Sequence, residues 1–440
     1  MLTCYRCQSE VSPRGFCGCA DGCTLILGDC REVLPQLEAA AFHSVVTDPP
    51  YELGFMGKSW DRSGVAFDPA TWEAVRRVAK PGAMLLSFGG TRTFHRLACA
   101  IEDAGWELRD TMMYVFGSGF PKSLDISKAI DKAAGKKREA VGANPNYRPN
   151  KENHANAIMR EMRPGEAEVI TAPATPEAAL WQGWGTALKP AYEPITVAMN
   201  RLDGTFAHNA IAHGVAGLNV DACRIGTEQT VTVRNGDSGG NGAYGRDTRK
   251  LEKLNPPGRY PANLIHDGSD EVLAGFPDVD GPWGGTGDKS SCGKTSMFGI
   301  GNNPDNERYK GSGSAARFFY CAKASTAERN AGCEGLPKAT AGEITGGRAE
   351  GSDGLNSPRA GAGRTSGGFN THPTVKPLAL MEYLCRLVSQ PKQRGVLLDP
   401  FAGSGTTLMA AGRWFARCVG IELDEGHCRI AAARLDGCLL

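Results

Sequence analysis

Short apolar runs alternate with helix-like segments at both ends of the chain. The predicted strands are 25–27, 43–47, 84–87, 106–116, 396–398 and 418–421, and the predicted helices are 31–40, 72–80, 91–104, 406–414 and 425–435. Strands that alternate with helices of this length are typical of the α/β class, with a doubly wound, mostly parallel sheet covered on both faces. Ligands bind such sheets beyond the carboxyl ends of the strands.

The middle of the chain departs from this pattern. Glycine accounts for 57 of the 440 residues, and about half of these glycines lie between Gly226 and Gly368. Glycine clusters interrupt helices and strands, so this stretch predicts long loops around short strands, with 259–266 and 316–320 as the candidate strands. We therefore expect a large glycine-rich insertion in the α/β core.

The overall charge excludes a uniformly basic nucleic-acid binder, because 49 Lys and Arg face 48 Asp and Glu. No apolar run approaches the ~20 residues that span a bilayer, and the first residues lack a signal-peptide pattern. The sequence thus predicts a cytoplasmic protein with no membrane partner. One local exception is 128–151, where seven basic residues face two acids. This run is either a solvated helix face with a disordered tail or a flexible arm on DNA phosphates; in the second case its deletion should flatten the salt dependence of DNA affinity.

The first candidate site is Asp48-Pro49-Pro50-Tyr51, directly after a predicted strand. A surface turn is the simpler interpretation, because two prolines continue neither a strand nor a helix. At the end of a strand, however, proline fixes the backbone so that the Asp48 carboxylate and the Pro49 carbonyl converge as acceptors beside the Tyr51 ring. Two acceptors next to an aromatic face suit an exocyclic amino group on a planar base.

The second candidate site is 398–407, which runs from a strand through a glycine loop into a helix. It lacks the lysine of a phosphate loop and the third glycine of a dinucleotide loop. Asp399 precedes the loop, and Glu422 ends the next strand, where an acid typically accepts hydrogen bonds from ribose hydroxyls. The pattern predicts a nucleoside ligand that carries no phosphate.

Together these motifs resemble the amino-group DNA methyltransferases that use S-adenosylmethionine, in the β-type order with the catalytic motif first. Residues 372–377 and Gly28-Asp29 also resemble segments of this family. The resemblance implies a Rossmann-like methyltransferase fold with catalytic residues Asp48, Pro49, Pro50 and Tyr51. It implies the following cofactor-binding residues: Asp29, Lys376, Asp399, Phe401, Ala402, Gly403, Ser404, Gly405, Thr406 and Glu422.

The resemblance also implies an activity, which is methyl transfer to a flipped base of double-stranded DNA. Adenine N6 is favoured because this tetrapeptide leans toward adenine in the family; cytosine N4 methylation and a DNA-binding protein with a retired site are the alternatives. The implied core is 24–122, 186–200 and 372–440, with an insertion at 123–185 and target recognition at 201–371. Segments of the latter resemble methyltransferases of phages and prophages. Neither a partner nuclease nor an oligomeric state is indicated.

Six of the 15 cysteines fall in the first thirty residues. Their spacing resembles a small zinc knuckle over 1–23, in which four thiolates surround a tetrahedral metal. The predicted ligands are Cys4, Cys7, Cys17 and Cys19, with Cys23 as the alternative to Cys19. Reduced free thiols are the competing interpretation, and metal analysis distinguishes the two: less than ~0.5 zinc per chain would count against the site.

Overall fold

The structure, a computed structural model, describes residues 1–53, 62–117, 119, 123–143, 169–226, 231–235, 250–254, 256–279, 313–322, 328–340, 368–372 and 374–437. The strands are β1 (Cys23–Leu27), β2 (Phe42–Thr47), β3 (Ala79–Phe88), β4 (Glu107–Val115), β5 (Ala140–Ala143), β6 (Val169–Thr171), β7 (Tyr192–Met199), β8 (Val231–Asn235), β9 (Lys250–Leu254), β10 (Leu264–His266), β11 (Asp278–Val279), β12 (Gly313–Ser314), β13 (Tyr320–Cys321), β14 (Val396–Asp399) and β15 (Arg417–Glu422). The helices are α1 (Cys30–Val33), α2 (Pro69–Val78), α3 (Phe94–Asp103), α4 (Ile126–Ala133), α5 (Pro176–Leu180), α6 (Phe206–Ala212), α7 (Asp270–Ala274), α8 (Leu378–Leu387), α9 (Thr406–Ala411) and α10 (Glu425–Gly437).

A nine-stranded sheet with the order β1-β15-β14-β2-β3-β7-β4-β10-β13 forms the centre of the fold. Strand β7 runs antiparallel to both β3 and β4, and the other neighbouring strands of this sheet are parallel. The predicted doubly wound, mostly parallel α/β sheet is confirmed.

Both faces of the sheet are buried because successive side chains of a strand point to opposite sides. In β2, Val45 packs in the cluster that contains Trp72 of α2, whereas Val46 packs in the cluster that contains Leu384 of α8. The Trp72 indole is fully buried and donates a hydrogen bond to the Ala66 carbonyl over 2.9 Å. These two layers hold β2 and β14 in the middle of the molecule.

The chain leaves β2 and β14 in opposite directions, although the two strands are neighbours. Strand β2 leads through α2 to β3 on one side, and β14 leads through α9 to β15 on the other. A crevice opens beyond the carboxyl ends of two strands whose connections diverge in this way. Asp48 and Asp399 lie at those two ends.

Several predicted elements are wrong in their bounds. The strand predicted at 259–266 begins only at Leu264, and the helix predicted at 406–414 ends at Ala411. The helix predicted at 31–40 ends at Val33 and continues only as a 3-10 turn, Leu34–Gln36, because Pro35 lacks an amide hydrogen and its ring disfavours further helical turns. The strand predicted from residue 84 already begins at Ala79, with a shift in its register against β2. The strand predicted at 316–320 is mostly a 3-10 turn, Ala315–Phe318.

The glycine-rich part nevertheless adds to the central sheet. Strand β10 pairs with β4 and β13 pairs with β10, all in parallel. The ring of Tyr320 in β13 stacks on that of Tyr383 in α8, with centroids 4.0 Å apart. Among the described residues, no helix is long and apolar enough to cross a membrane.

Candidate active site

A cavity of about 560 Å³ opens at the carboxyl ends of β2 and β14, between the Asp48 motif and the glycine loop. This volume is in the range typical of small-molecule sites. The two motifs are joined directly, since the Thr47 hydroxyl donates a 2.7 Å hydrogen bond to Asp399 Oδ1. The structure therefore brings both sequence motifs to one cavity.

Lys376 lies among the catalytic candidates. Its Nζ is 3.0 Å from Asp48 Oδ2 and 3.2 Å from Glu193 Oε2, and it donates a 2.9 Å hydrogen bond to the Tyr51 hydroxyl. Sequence reasoning placed Lys376 with the cofactor residues and missed Glu193, which is the second residue of β7. The only sequence signal for Glu193 is its position in 186–200, which the resemblance implies as part of the core.

The charges around Lys376 determine its ionisation. Burial alone would lower the pKa of Lys376, but the carboxylates of Asp48 and Glu193 outweigh burial and raise this pKa. Burial and the same two carboxylates raise the pKa of Tyr51 well above its ordinary value. The site thus holds an ammonium group and a neutral phenol between two acids.

One oxygen of Asp48 is left for a ligand. Oδ2 contacts Lys376, whereas Oδ1 is buried and has no hydrogen-bond partner among the described residues. A buried acceptor without a partner is costly, so it marks a place where a donor from outside the protein fits. Tyr51 is held beside it, because the Thr93 hydroxyl donates a 2.8 Å hydrogen bond to the Tyr51 carbonyl.

The glycine loop forms the opposite wall. Gly403 and Gly405 have φ angles of +53° and +77°, a region that favours glycine. A Cβ atom on Gly403 would lie 2.9 Å from His372 Nε2. A side chain at Gly403 would therefore collide with His372, and both residues line the cavity.

Glu422 is oriented by the backbone around it. Its Oε2 accepts a 2.8 Å hydrogen bond from the Gly403 amide, and its Oε1 accepts a 2.9 Å bond from the Asp424 amide. Each carboxylate oxygen has a further lone pair, so Glu422 can still accept from hydroxyl groups of a ligand.

Asp29 and Phe401 line the same cavity. Asp29 caps α1, and its carboxylate pairs with Arg31 at 2.6 Å, which lowers the pKa of Asp29. The Phe401 ring packs against Trp72 with centroids 6.3 Å apart. Ala402 lies between Phe401 and the glycines and is buried.

Ser404 and Thr406 also border the cavity, but their hydroxyls point to a buried arginine. Arg434 Nη1 donates to the Ser404 carbonyl, the Ser404 hydroxyl and the Thr406 hydroxyl over 2.7, 3.0 and 2.8 Å. Arg434 shapes the glycine loop, and sequence reasoning missed it because it lies in α10, far along the chain, without a motif of its own.

His372 was predicted only as part of a family-like segment, and the structure places it against the loop. Burial, followed by the neighbouring His427, lowers the pKa of His372 well below its ordinary value. The two imidazoles are in edge contact, with centroids 4.4 Å apart. A neutral His372 therefore forms the floor beneath Gly403.

The predicted cysteine cluster lies apart from this cavity. The Sγ atoms of Cys4, Cys7, Cys17 and Cys19 are all within 4.8 Å of one another. Cys23, the alternative ligand, instead lies in β1 and contacts Cys418 of β15 through its sulfur. The structure thus favours Cys19 over Cys23 as the fourth member.

The sheet order, the diverging connections and the paired motifs define the class: an α/β protein with a Rossmann-like methyltransferase fold. The family described as DNA methylase, N6_N4_Mtase, matches residues 348–433. The predicted resemblance to the S-adenosylmethionine-dependent DNA amino-methyltransferases is therefore confirmed over this segment, which contains the glycine loop.

Individual relatives are similar over short segments. The chain is 47% identical over 64 residues to the type II methyltransferase M.HindIII of Haemophilus influenzae, covering 14% of this chain and 20% of the relative. It is 40% identical over 65 residues to M2.DpnII of Streptococcus pneumoniae, covering 15% of this chain and 24% of the relative. The chain thus matches about a fifth to a quarter of the length of these curated relatives.

Solved structures align over most of the chain at low similarity. M1.HpyAVI in complex with SAM aligns with a TM-score of 0.37 and 13% identity, covering 94% of this chain and 99% of the other. The cytosine-N4-specific PvuII DNA methyltransferase aligns with a TM-score of 0.37 and 12% identity, covering 94% and 86%. The fold assignment rests on the sheet topology and not on these alignments.

Proposed function

We propose that this protein transfers a methyl group from S-adenosylmethionine to the exocyclic amino group of a flipped base in double-stranded DNA, with adenine N6 as the favoured acceptor. The observation that carries the proposal is the buried Asp48 Oδ1, which lacks a donor among the described residues and belongs to a residue that lines the cavity shared with the glycine loop. An exocyclic amino group supplies the missing donor.

The residues present fit the cofactor. The glycine loop at Gly403 lines the cavity without a side chain, Glu422 retains acceptor capacity for ribose hydroxyls, and Asp29 also lines the cavity. When bound, S-adenosylmethionine supplies an electrophilic methyl group on a sulfonium centre. The protein contributes binding, orientation and electrostatics to this chemistry.

The Asp48 motif orients the acceptor. Asp48 Oδ1 and the Pro49 carbonyl accept the two amino hydrogens, which turns the nitrogen lone pair away from the ring system of the base. Tyr51 stacks on the base, and Lys376 holds the other Asp48 oxygen at 3.0 Å so that the carboxylate stays oriented. The amino group loses one proton after transfer, either to Asp48 or to solvent. Flipping costs a few kcal/mol, which the pocket contacts offset.

The test compares two carboxylate variants. Asp48→Ala should abolish methylation of duplex DNA while cofactor binding, measured by calorimetry, survives. Asp221→Ala removes an exposed carboxylate that pairs only with Arg224 among its described contacts. This variant should leave both methylation and cofactor binding unchanged. Retained methylation in Asp48→Ala would overturn the assignment.

The acceptor base is identified separately. DNA from cells that express the wild-type chain is sequenced with detection of modified bases, and methylation at adenine within a defined site is expected. Modified cytosine would replace adenine N6 with cytosine N4 as the acceptor, and the absence of any modified base would favour a DNA-binding protein with a retired site.

A further inference from the structure

Four thiols converge beside the first strand of the sheet, outside the active site. The Sγ atoms of Cys4 and Cys19 are 3.8 Å apart, and all four sulfurs of the cluster lie within 4.8 Å of one another. A tetrahedral site with zinc–sulfur bonds of about 2.3 Å has sulfur–sulfur edges of about 3.8 Å. The four cysteines are free thiols. Their spacing is that of metal ligands around one ion.

The local backbone and two hydroxyl groups orient the cysteine side chains. The Cys4 amide donates to the Ser9 carbonyl over 2.9 Å, which folds the chain back so that the Cys4 and Cys7 side chains share one side. The Ser9 hydroxyl lies 3.0 Å from Cys7 Sγ, and the Thr24 hydroxyl donates to Cys17 Sγ over 3.3 Å. Hydroxyl partners of this kind orient metal ligands and stabilise their negative charge.

The cluster is attached to the outer edge of the central sheet. Cys4 forms an antiparallel bridge with Ile26, and the Tyr5 amide donates to the Leu25 carbonyl over 2.7 Å. Strand β1 is the edge strand on this side, and an uncovered edge exposes unpaired backbone groups. The cysteine-bearing segment covers that edge.

The same segment is tied to the cofactor half. Arg6 lies between the first two cysteines and pairs with Asp21 at 2.7 Å and with Asp436 of α10 at 2.6 Å. Strand β1 then ends at Leu27, two residues before Asp29, which lines the cavity. The position of residues 1–23 therefore affects the wall of the cavity that contains Asp29.

We propose that Cys4, Cys7, Cys17 and Cys19 bind one structural Zn²⁺ ion, which fixes residues 1–23 on the edge of β1. Four thiolates in tetrahedral array select zinc or iron among the divalent metals, and zinc is the usual metal of structural four-cysteine sites. Binding releases thiol protons. The proposal does not depend on the methyl transfer proposed above.

Metal content of the full chain tests the site. Purified wild-type protein should contain about one zinc per chain by mass spectrometry of the metals. Cys7→Ser and Cys17→Ser should each lose most of this zinc, whereas Cys99→Ser, at an exposed free cysteine outside the cluster, should retain it. Less than ~0.5 zinc per wild-type chain, or iron in its place, overturns the proposal. Equal loss in Cys99→Ser does so as well.

Hydrogen exchange tests the structural role and avoids variants that fail to fold. Zinc is removed from the wild-type protein with a chelator, and amide exchange is followed in Cys23–Leu27 and in Glu107–Val115, which lies across the sheet. Exchange in the first segment should rise at least tenfold, and exchange in the second should stay unchanged. Unchanged exchange in both segments, or an equal rise in both, overturns the claim that the metal fixes this edge.

Discussion

The ammonium of Lys376 lies between two carboxylates and against two aromatic faces. Its Nζ is 5.2 Å from the centroid of the Tyr51 ring and 4.8 Å from that of Phe88. A fixed cation at this position partly neutralises Asp48 and Glu193 and keeps both carboxylates in place. The hydrogen bond from Lys376 to Tyr51 joins residues 325 positions apart, so nothing in the local sequence around Lys376 indicates this contact.

Replacing Lys376 tests this role. In Lys376→Met the two acids lose their shared cation, and unpaired, mostly buried charges cost on the order of 1–3 kcal/mol. We expect methylation to fall at least tenfold and the free energy of unfolding to fall by about 1–2 kcal/mol. Activity assays and urea unfolding measure both. Lys338→Met, at an exposed site, is the control, and equal effects in the two variants would contradict the role of Lys376.

Asp399 carries a pH dependence of its own. Burial raises the pKa of Asp399 to about 6, whereas an aspartate in the unfolded chain titrates near 4. The folded state therefore retains this proton over a range in which the unfolded chain has released it. Ionised Asp399 consequently destabilises the fold as the pH rises from about 4 to about 6.

Asp399→Asn removes this titration but keeps an acceptor for Thr47. The free energy of unfolding of the variant, relative to wild type, should therefore increase by about 2 kcal/mol between pH 4 and pH 6.5. Urea unfolding without cofactor at several pH values measures the difference. Asp221→Asn should follow wild type throughout. A constant difference for Asp399→Asn would show that the carboxyl titrates normally.

At the scale of elements, the glycine loop depends on two separate requirements. The positive φ of Gly403 disfavours any other residue, and His372 also leaves no room for a Cβ atom. Gly204 has a φ of +75° but no atom within 4 Å of its Cβ position. A comparison of alanine substitutions at Gly403 and Gly204 therefore separates the effect of backbone strain from that of steric contact.

Both Gly403→Ala and Gly204→Ala should lower the free energy of unfolding by about 1 kcal/mol through the left-handed backbone. Gly403→Ala should in addition weaken cofactor binding at least tenfold, because His372 must move and the loop with it. Calorimetric titration and thermal unfolding measure the two effects. A loss of cofactor affinity in Gly204→Ala of the same size would contradict the steric explanation.

The predictable elements are those whose signal is local. Apolar runs that end at Asp48 and Asp399 predicted β2 and β14 and placed both motifs at strand ends. The helix predicted at 31–40 ends at Val33, because Pro35 does not continue an α-helix. The partners Glu193 and Arg434 could not be predicted, since only the order of the strands and the packing of α10 bring them to the site.

At the scale of the whole molecule, the proposed DNA binding requires local positive charge, because the net formal charge is only +1. The basic run at 128–151 is only partly available for this purpose. Arg138 pairs with buried Asp131 at 2.9 Å and also bonds Ser127, so it stabilises α4. Deletion of the run would unfold this part of the insertion. Residues 144–151, with Arg148 and Lys151, lie outside the described residues.

Point substitutions test the exposed charges instead. The variant replaces four exposed lysines with glutamine: Lys128, Lys132, Lys136 and Lys137. If each contacts a phosphate, the slope of log affinity against log salt should fall by about 3 to 4. The control replaces four basic residues elsewhere with glutamine: Arg14, Lys338, Arg413 and Arg429. A change in slope of equal size in both variants would favour a merely solvated surface.

The sheet order has a consequence for the synthesis of the chain. Cys23 of β1 contacts Cys418 of β15, 395 residues later. At about 5–20 residues per second, a ribosome needs roughly 20–80 s to deliver that partner. Strands β14 and β15 insert between β1 and β2, so a nascent chain carries the Asp48 motif but no opposite wall for the cavity. Methylating ability would therefore arise only once the last strand has left the ribosome, and strand edges exposed until then are where chaperones would bind.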